Sequence, residues 1–181
     1  IAANVVSFAK MEAACRTWFN AIRTYLADGM LQIGTLLISG VAAEKFKTTT
    51  IAIYTIAGLP YTKAATDNLV FSTSDTINLA GAAGTGHWGV FLVQINAAGT
   101  VSTVHGTYTS GSDQDYATEA AAIAALPAVT AANAQLGYIT VQVKTGGLAW
   151  TANTDDLTPT GDCTTANFYD VPGAKSLPAA L

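Results

Sequence analysis

Gly89-Val90-Phe91-Leu92-Val93-Gln94-Ile95-Asn96-Ala97-Ala98-Gly99 organises the reading of this chain, because a close copy of it returns as Gly137-Tyr138-Ile139-Thr140-Val141-Gln142-Val143-Lys144-Thr145-Gly146-Gly147. Both copies open on glycine, carry a Val-Gln pair at the same offset and close on a glycine in a turn. Runs of β-branched and aromatic residues stopped by glycine-containing turns read as β-hairpins. Residues 100–103 would return after the first copy and residues 148–152 after the second. In the first copy Trp88, Phe91 and Val93 should alternate away from Val90 and Leu92, so both faces are apolar and the strand is expected at the centre of a sheet. Trp88 is assigned to the core, while Trp150 fits either core or surface.

Working outward, residues 47–56 read as one strand with Ile51 and Ile53 on its apolar side, and 57–60 as a turn. Residues 61–63, 69–72 and 76–79 read as short strands, with a loop at 64–68. Upstream, Met11, Cys15, Trp18, Phe19, Ile22, Tyr25 and Leu26 recur at three- and four-residue steps, the stripe of an amphipathic helix over 11–26. That stripe either covers a face of the β core or serves as a docking arm. Residues 115–126 predict a second, alanine-rich helix, capped by Asp113 or Asp115 and stopped by Pro127. Residues 127–134 then connect to the second central strand, 136–143, and residues 164–169 form a last short strand. The organisation is a helical or docking region at 1–46, a β-rich domain at 47–171 and a tail at 172–181. The expected fold is mainly β, an antiparallel sandwich or jelly-roll-like domain with an N-terminal amphipathic helix and one internal helix.

Composition narrows the functional classes. The chain has 181 residues, of which 50% are hydrophobic and only 11% charged, where about 25% charged is usual. So little charge suits a chain packed in an assembly or carried on an extracellular particle. The net charge is −4 and the eight Lys and Arg are scattered, so no clustered positive charge is offered to a phosphate backbone and nucleic acid is not an expected partner. The chain begins at Ile1, so residues before it are absent from the sequence or a leader has been removed. The opening lacks the pattern of a secretory signal, and the apolar run 31–41 is too short and too interrupted to span a bilayer.

The search for chemistry assigns no catalytic, cofactor-binding or metal-binding residue. No serine sits in a Gly-x-Ser-x-Gly elbow. A nucleophilic site would depend on His87 or His105, which read as polar residues at strand ends. The glycine-rich segment 80–86 lacks the Lys-Ser/Thr of a phosphate loop. Asp113, Asp115, Asp155 and Asp156 lie in oxygen-rich loops without the calcium-loop pattern, and Asp155-Asp156 reads as a solvated turn. Cys15 and Cys163 are either two buried thiols, the favoured reading, or one disulfide. Trp88, Trp150, Tyr61 and Tyr108 would make either a sugar-stacking surface or core and cross-strand aromatics.

Several stretches carry a resemblance: 61–69 (Tyr-Thr-Lys-Ala-Ala-Thr-Asp-Asn-Leu), 94–101 (Gln-Ile-Asn-Ala-Ala-Gly-Thr-Val), 124–128 (Ala-Ala-Leu-Pro-Ala), 136–141 (Leu-Gly-Tyr-Ile-Thr-Val) and 153–157 (Asn-Thr-Asp-Asp-Leu). Across 61–169 the chain resembles structural proteins of tailed-bacteriophage virions, of the head decoration or cement, head-fibre and tail-appendage types. The resemblance implies a non-enzymatic protein on the virion surface, bound to a major capsid or other virion protein and self-associated, with a trimer favoured. It transfers no site residue. A cement protein would use the N-terminal helix and the 172–181 tail as bridging arms. A fibre or adhesive module would instead present loops 80–86, 108–113 and 151–159 to a host glycan.

Overall fold

The computed structural model describes residues 12–13, 15–18, 29–72, 76–78, 87–106, 116–144, 149–159 and 163–171. Antiparallel sheets dominate and two short helices accompany them. The largest sheet has four strands. β8 (Trp88–Asn96) and β10 (Asn133–Val143) lie at its centre, flanked by β9 (Val101–His105) and β12 (Cys163–Asp170), in the order β12-β10-β8-β9.

The two copies of the repeated motif therefore pair with each other. Gly89 faces Val141, Phe91 faces Ile139 and Val93 faces Gly137, an approximate two-fold arrangement centred on Phe91 and Ile139. A bulge between Gln135 and Gly137 breaks the register beyond that core. The first copy returns through the expected hairpin: β9 pairs with β8, and Gly99 supplies the positive φ of 77° in the turn. The second copy does not. The segment after it, β11 (Ala149–Thr151), pairs with β7 (Thr76–Asn78) in a separate two-stranded sheet, and the free side of β10 is taken by β12.

Two three-stranded sheets complete the described architecture. One holds β1 (Gly29–Gln32), β4 (Ala52–Ile56) and β5 (Leu59–Lys63), in the order β1-β4-β5. The other holds β2 (Leu36–Ile38), β3 (Phe46–Thr48) and β6 (Thr66–Leu69), in the order β2-β3-β6. β1 and β2 precede residue 47, yet both are hydrogen-bonded into these sheets, and Met30 and Leu36 join the core.

The single strand expected over 47–56 is two strands in two different sheets. Thr49 and Thr50 turn the corner: the Thr49 N–H and hydroxyl both donate to the Thr35 carbonyl, and the Thr50 hydroxyl donates to the Ile33 carbonyl at 2.8 Å. Threonine side chains that satisfy nearby backbone compete with the ladder, so a β-prone run can still bend. The corner also inverts the phase: Ala52, Tyr54 and Ile56 are buried, while Ile51 is 51% exposed. Beyond β4, Ala57 and Gly58 both take positive φ, the two-residue turn that matches strand twist. The expected loop at 64–68 contains most of β6.

One cluster unites the sheets. Met30, Phe46, Ala52 and Tyr54 from the three-stranded sheets pack with Phe91, Val93, Ile95, Ile139, Val141 and Val143 from the four-stranded one, and Trp150 and Leu157 join them. Phe71 lies among Phe46, Phe91 and Trp150, each ring within 5.7 Å and edge-on. The assignment of Trp88 to the core, on the face of Phe91 and Val93, is corrected: a period of two puts Trp88 on the face of Val90 and Leu92, where it is only half-buried, and Trp150 is the enclosed indole, its N–H donating to the Asp156 carbonyl at 3.1 Å.

The other face of β8 carries Val90 and Leu92, both fully buried outside that cluster. A short helix, Glu119–Ala124, lies over it, with Ala122 enclosed and the Ala125 carbonyl against the Gly106 backbone. The expected helix 115–126 is thus shortened at both ends. Thr118 caps it, its hydroxyl accepting from the Ala121 N–H, and Tyr116 instead makes an isolated bridge to Trp88. Asp113 and Asp115 lie outside the described residues.

Candidate functional site

The densest polar constellation sits on the helix-covered side of β10 and β12. Glu119, the first residue of the helix, is aimed at the sheet by the Thr118 cap. Its Oε1 accepts three hydrogen bonds: from the Thr140 hydroxyl at 2.6 Å, the Asn167 amide at 2.8 Å and the Tyr169 hydroxyl at 2.9 Å. Thr140 lies on β10, and Asn167 and Tyr169 on β12, so one carboxylate ties three elements together. Tyr138 stacks on Tyr169 with ring centroids 4.7 Å apart. Burial alone would raise the Glu119 pKa, but the three donors outweigh it and hold the carboxyl below its usual range. Burial, together with the Glu119 charge, pushes the Tyr138 and Tyr169 hydroxyls up. Chemically this is an ionised acceptor fixed beside a carboxamide and two stacked rings. None of these groups is a poised nucleophile or proton donor near neutral pH.

A groove of about 440 Å³ lies elsewhere, lined by Met30, Val129, Thr130, Asn133, Ala134 and Val171 among others, with no ionisable side chain. Near it, Gln94 is buried and clamps the connector after the helix, its carbonyl accepting the Thr130 N–H at 2.9 Å and its amide donating to the Thr130 hydroxyl.

The residues singled out from sequence are not brought together. His105 stacks on Phe91 at 4.6 Å, and the His87 carbonyl accepts the Val143 N–H. Trp150 is sealed in the core and Tyr61 stacks on the buried Tyr54, so the imagined sugar-stacking surface does not form from them; Tyr108 lies outside the described residues. The loop 151–159 is anchored rather than presented: Ala152 and Leu157 are fully buried, and the Asn153 side chain bonds both the N–H and the carbonyl of Phe71. Asp155 accepts the Thr151 N–H at 2.6 Å, so it shapes its own turn. Both cysteines are free thiols, but Cys15 is exposed, against the expectation that both are buried, and burial pushes the Cys163 thiol up to about 11. Among the described residues no group of three or more His, Cys, Asp or Glu could hold a metal ion, and no helix is long and apolar enough to cross a membrane. Loops 80–86 and 108–113 and the tail 172–181 lie outside the described residues.

The Glu119 constellation was missed because its members are scattered over 51 residues of sequence, and only β10–β12 pairing assembles them. The one local signal was Glu at the first helical position after a capping threonine. No protein-family model, no curated protein and no solved structure matches the chain.

Proposed function

We propose that this chain is a non-enzymatic structural protein of a tailed-bacteriophage virion, decorating or stabilising the outer surface of the head through contacts with a capsid protein and with its own copies. The observation that carries this reading is apolar surface on a chain so poor in charge. Leu37, Val41, Ile51, Leu59, Val70 and Val129 are large and exposed, Val41 at 76%. Leu37 lies on β2, Val41 in the β2–β3 connection and Val70 just after β6, so three of them come from one sheet and its margins. In the N-terminal helix Trp18 is 54% exposed although it belongs to the expected apolar stripe. This supports a docking arm over a cover for the core. Scattered apolar side chains are ordinary, but grouped ones with little charge around them suit an interface.

The proposal extends to the fold: the shared core supports a sandwich-type packing of the three-stranded sheets against the four-stranded sheet. Cross-links that join these sheets edge to edge, and not face to face, would refute that part. The functional reading is tested by co-sedimentation with tailed-phage heads that lack their own decoration protein, together with light scattering after size exclusion. Association with the heads and a native mass above the 18.6 kDa of one chain are expected; a monomer that ignores the heads would sink the reading.

A second reading, an adhesive module for a host-surface carbohydrate, is favoured by the Glu119, Asn167, Tyr138 and Tyr169 constellation, since a carboxylate, a carboxamide and aromatic rings are the groups that bind sugar hydroxyls and faces. Retention on a glycan array that is abolished by Tyr138→Ala would favour it over decoration, and no retention would remove it.

A further inference from the structure

We infer that β12 is an assembly edge, and that its partner is β12 of a second copy of this chain, paired antiparallel about a two-fold axis at Asn167. The inference rests on the self-associating reading above and names the contact. Among the described residues β12 is a terminal strand of the four-stranded sheet with β10 as its neighbour; it runs for eight residues, and beyond a bulge at Thr164 the stretch Thr165–Asp170 pairs regularly. It contains no proline and no lysine or arginine. An edge of that length and composition is a template for another strand.

The remaining edges carry features that discourage pairing. At β9 the Thr103 N–H donates to the Ser72 hydroxyl at 2.7 Å, and the Ser72 N–H donates back to the Thr103 hydroxyl at 2.8 Å. β5 carries Pro60 and Lys63. β6 carries Asp67 and a left-handed Asn68 with φ 63°. β1 breaks register between Met30 and Gln32. β2, β7 and β11 have three residues each.

The register is bounded by the faces of β12 and by its bulge. Ala166 and Phe168 pack against the main core, whereas Asn167 and Tyr169 turn to Glu119 on the opposite side. Directly opposed residues of an antiparallel pair share a face. A two-fold through any residue satisfies this, and Asn167 is the one that centres the pairing on the regular stretch beyond the Thr164 bulge, setting Ala166 against Phe168, Thr165 against Tyr169, and Asn167 against its own copy. The two cores then become continuous through their apolar side chains. Asp170 is the one charged residue of the strand, and its side chain is already held by the Leu36 N–H at 2.8 Å. In this register the two Asp170 carboxylates stand about 20 Å apart, six residues of strand rise, so no like charges meet. The result is an isologous dimer with an eight-stranded continuous sheet, whereas the resemblance favoured a trimer.

The test uses the full chain with Cys15→Ser, to remove the exposed thiol. Added Asn167→Cys should give a disulfide-linked dimer on oxidation, while Thr165→Cys in the same background should not, because the two copies of residue 165 lie about 13 Å apart along the strands. The wild-type chain should have a native mass near 37 kDa, about twice 18.6 kDa. Its β12 amides should exchange hydrogen faster on dilution, a readout that needs no substitution. A folded trimer, or an oligomer lacking the 167 link and the dilution effect, overturns this contact and leaves the assembly reading standing. A folded monomer that also fails to bind heads overturns both.

Discussion

The two copies of the motif, β8 and β10, are neighbours with nearly the same sequence pattern and opposite surroundings. On the core side they are equivalent, Phe91 facing Ile139 with both fully buried. On the other side β8 presents Val90 and Leu92 beneath the helix, whereas β10 presents Tyr138 and Thr140 towards Glu119 and Tyr169. Even the shared Val-Gln pair diverges, since Gln94 is buried and holds Thr130 while Gln142 is half-buried opposite Trp88. A repeated pattern therefore specifies strand and core face. The second face is specified by what each strand must meet, an alanine-rich helix in one case and a carboxylate in the other.

The sharpest way to break the equivalence is at its centre. Phe91→Ala should cost about 4 kcal/mol and Ile139→Ala about 3 kcal/mol of unfolding free energy, because Phe91 also closes the aromatic group with Phe71, His105 and Trp150. Equal losses in urea melts would mean that the aromatic group adds nothing. Next comes Gly137→Ala. A Cβ at this glycine would overlap the Tyr169 carbonyl oxygen and crowd a Leu36 methyl, so β12 must shift away from β10. A loss of about 2 kcal/mol is expected. Unchanged stability would show that β12 is loosely held.

The smallest effect separates the outer faces. Glu119→Gln should cost about 1 kcal/mol at neutral pH, the value of charge-assisted hydrogen bonds after allowance for partial exposure. Because the folded-state pKa of Glu119 is lowered, the stability it contributes is present above the ordinary carboxylate pKa. It is lost as pH falls through the folded value. The difference between wild type and Glu119→Gln should therefore shrink on acidification below about pH 4. A gap that stays constant down to pH 2 would show that shape, and not charge, makes the contact.

Much of the strand inventory was legible because it is local. Both central strands, the turn at 96–99 with its positive-φ Gly99 and the start of the turn expected at 57–60 follow from residue type and period, although Leu59 and Pro60 already belong to β5. The partner of the second copy was not legible. Hairpin closure is the short-range solution, but β10 binds β8 and β12 through long-range contacts, and sequence period says nothing of partners. The threonine corner at 48–50 was hidden because threonine favours strands and also bonds nearby carbonyls. Thr118 displaced the aspartates as cap, since a helix that starts at Glu119 places its carboxylate on β10 and β12. The Glu119 constellation was invisible for the same reason as the β10 pairing: its donors come from strands joined only in three dimensions.

Ser72 has a consequence for how far copies of this sheet could grow. A strand arriving at β9 must first break the reciprocal Ser72–Thr103 hydrogen bonds, and it gains a similar pair in exchange. Growth from that side is therefore close to thermoneutral at its first contact. With the β9 side plugged, a four-stranded sheet that pairs through β12 would have a valence of one. If β12 is the assembly edge inferred above, such a sheet would stop after a single pairing and give a countable complex in place of a filament.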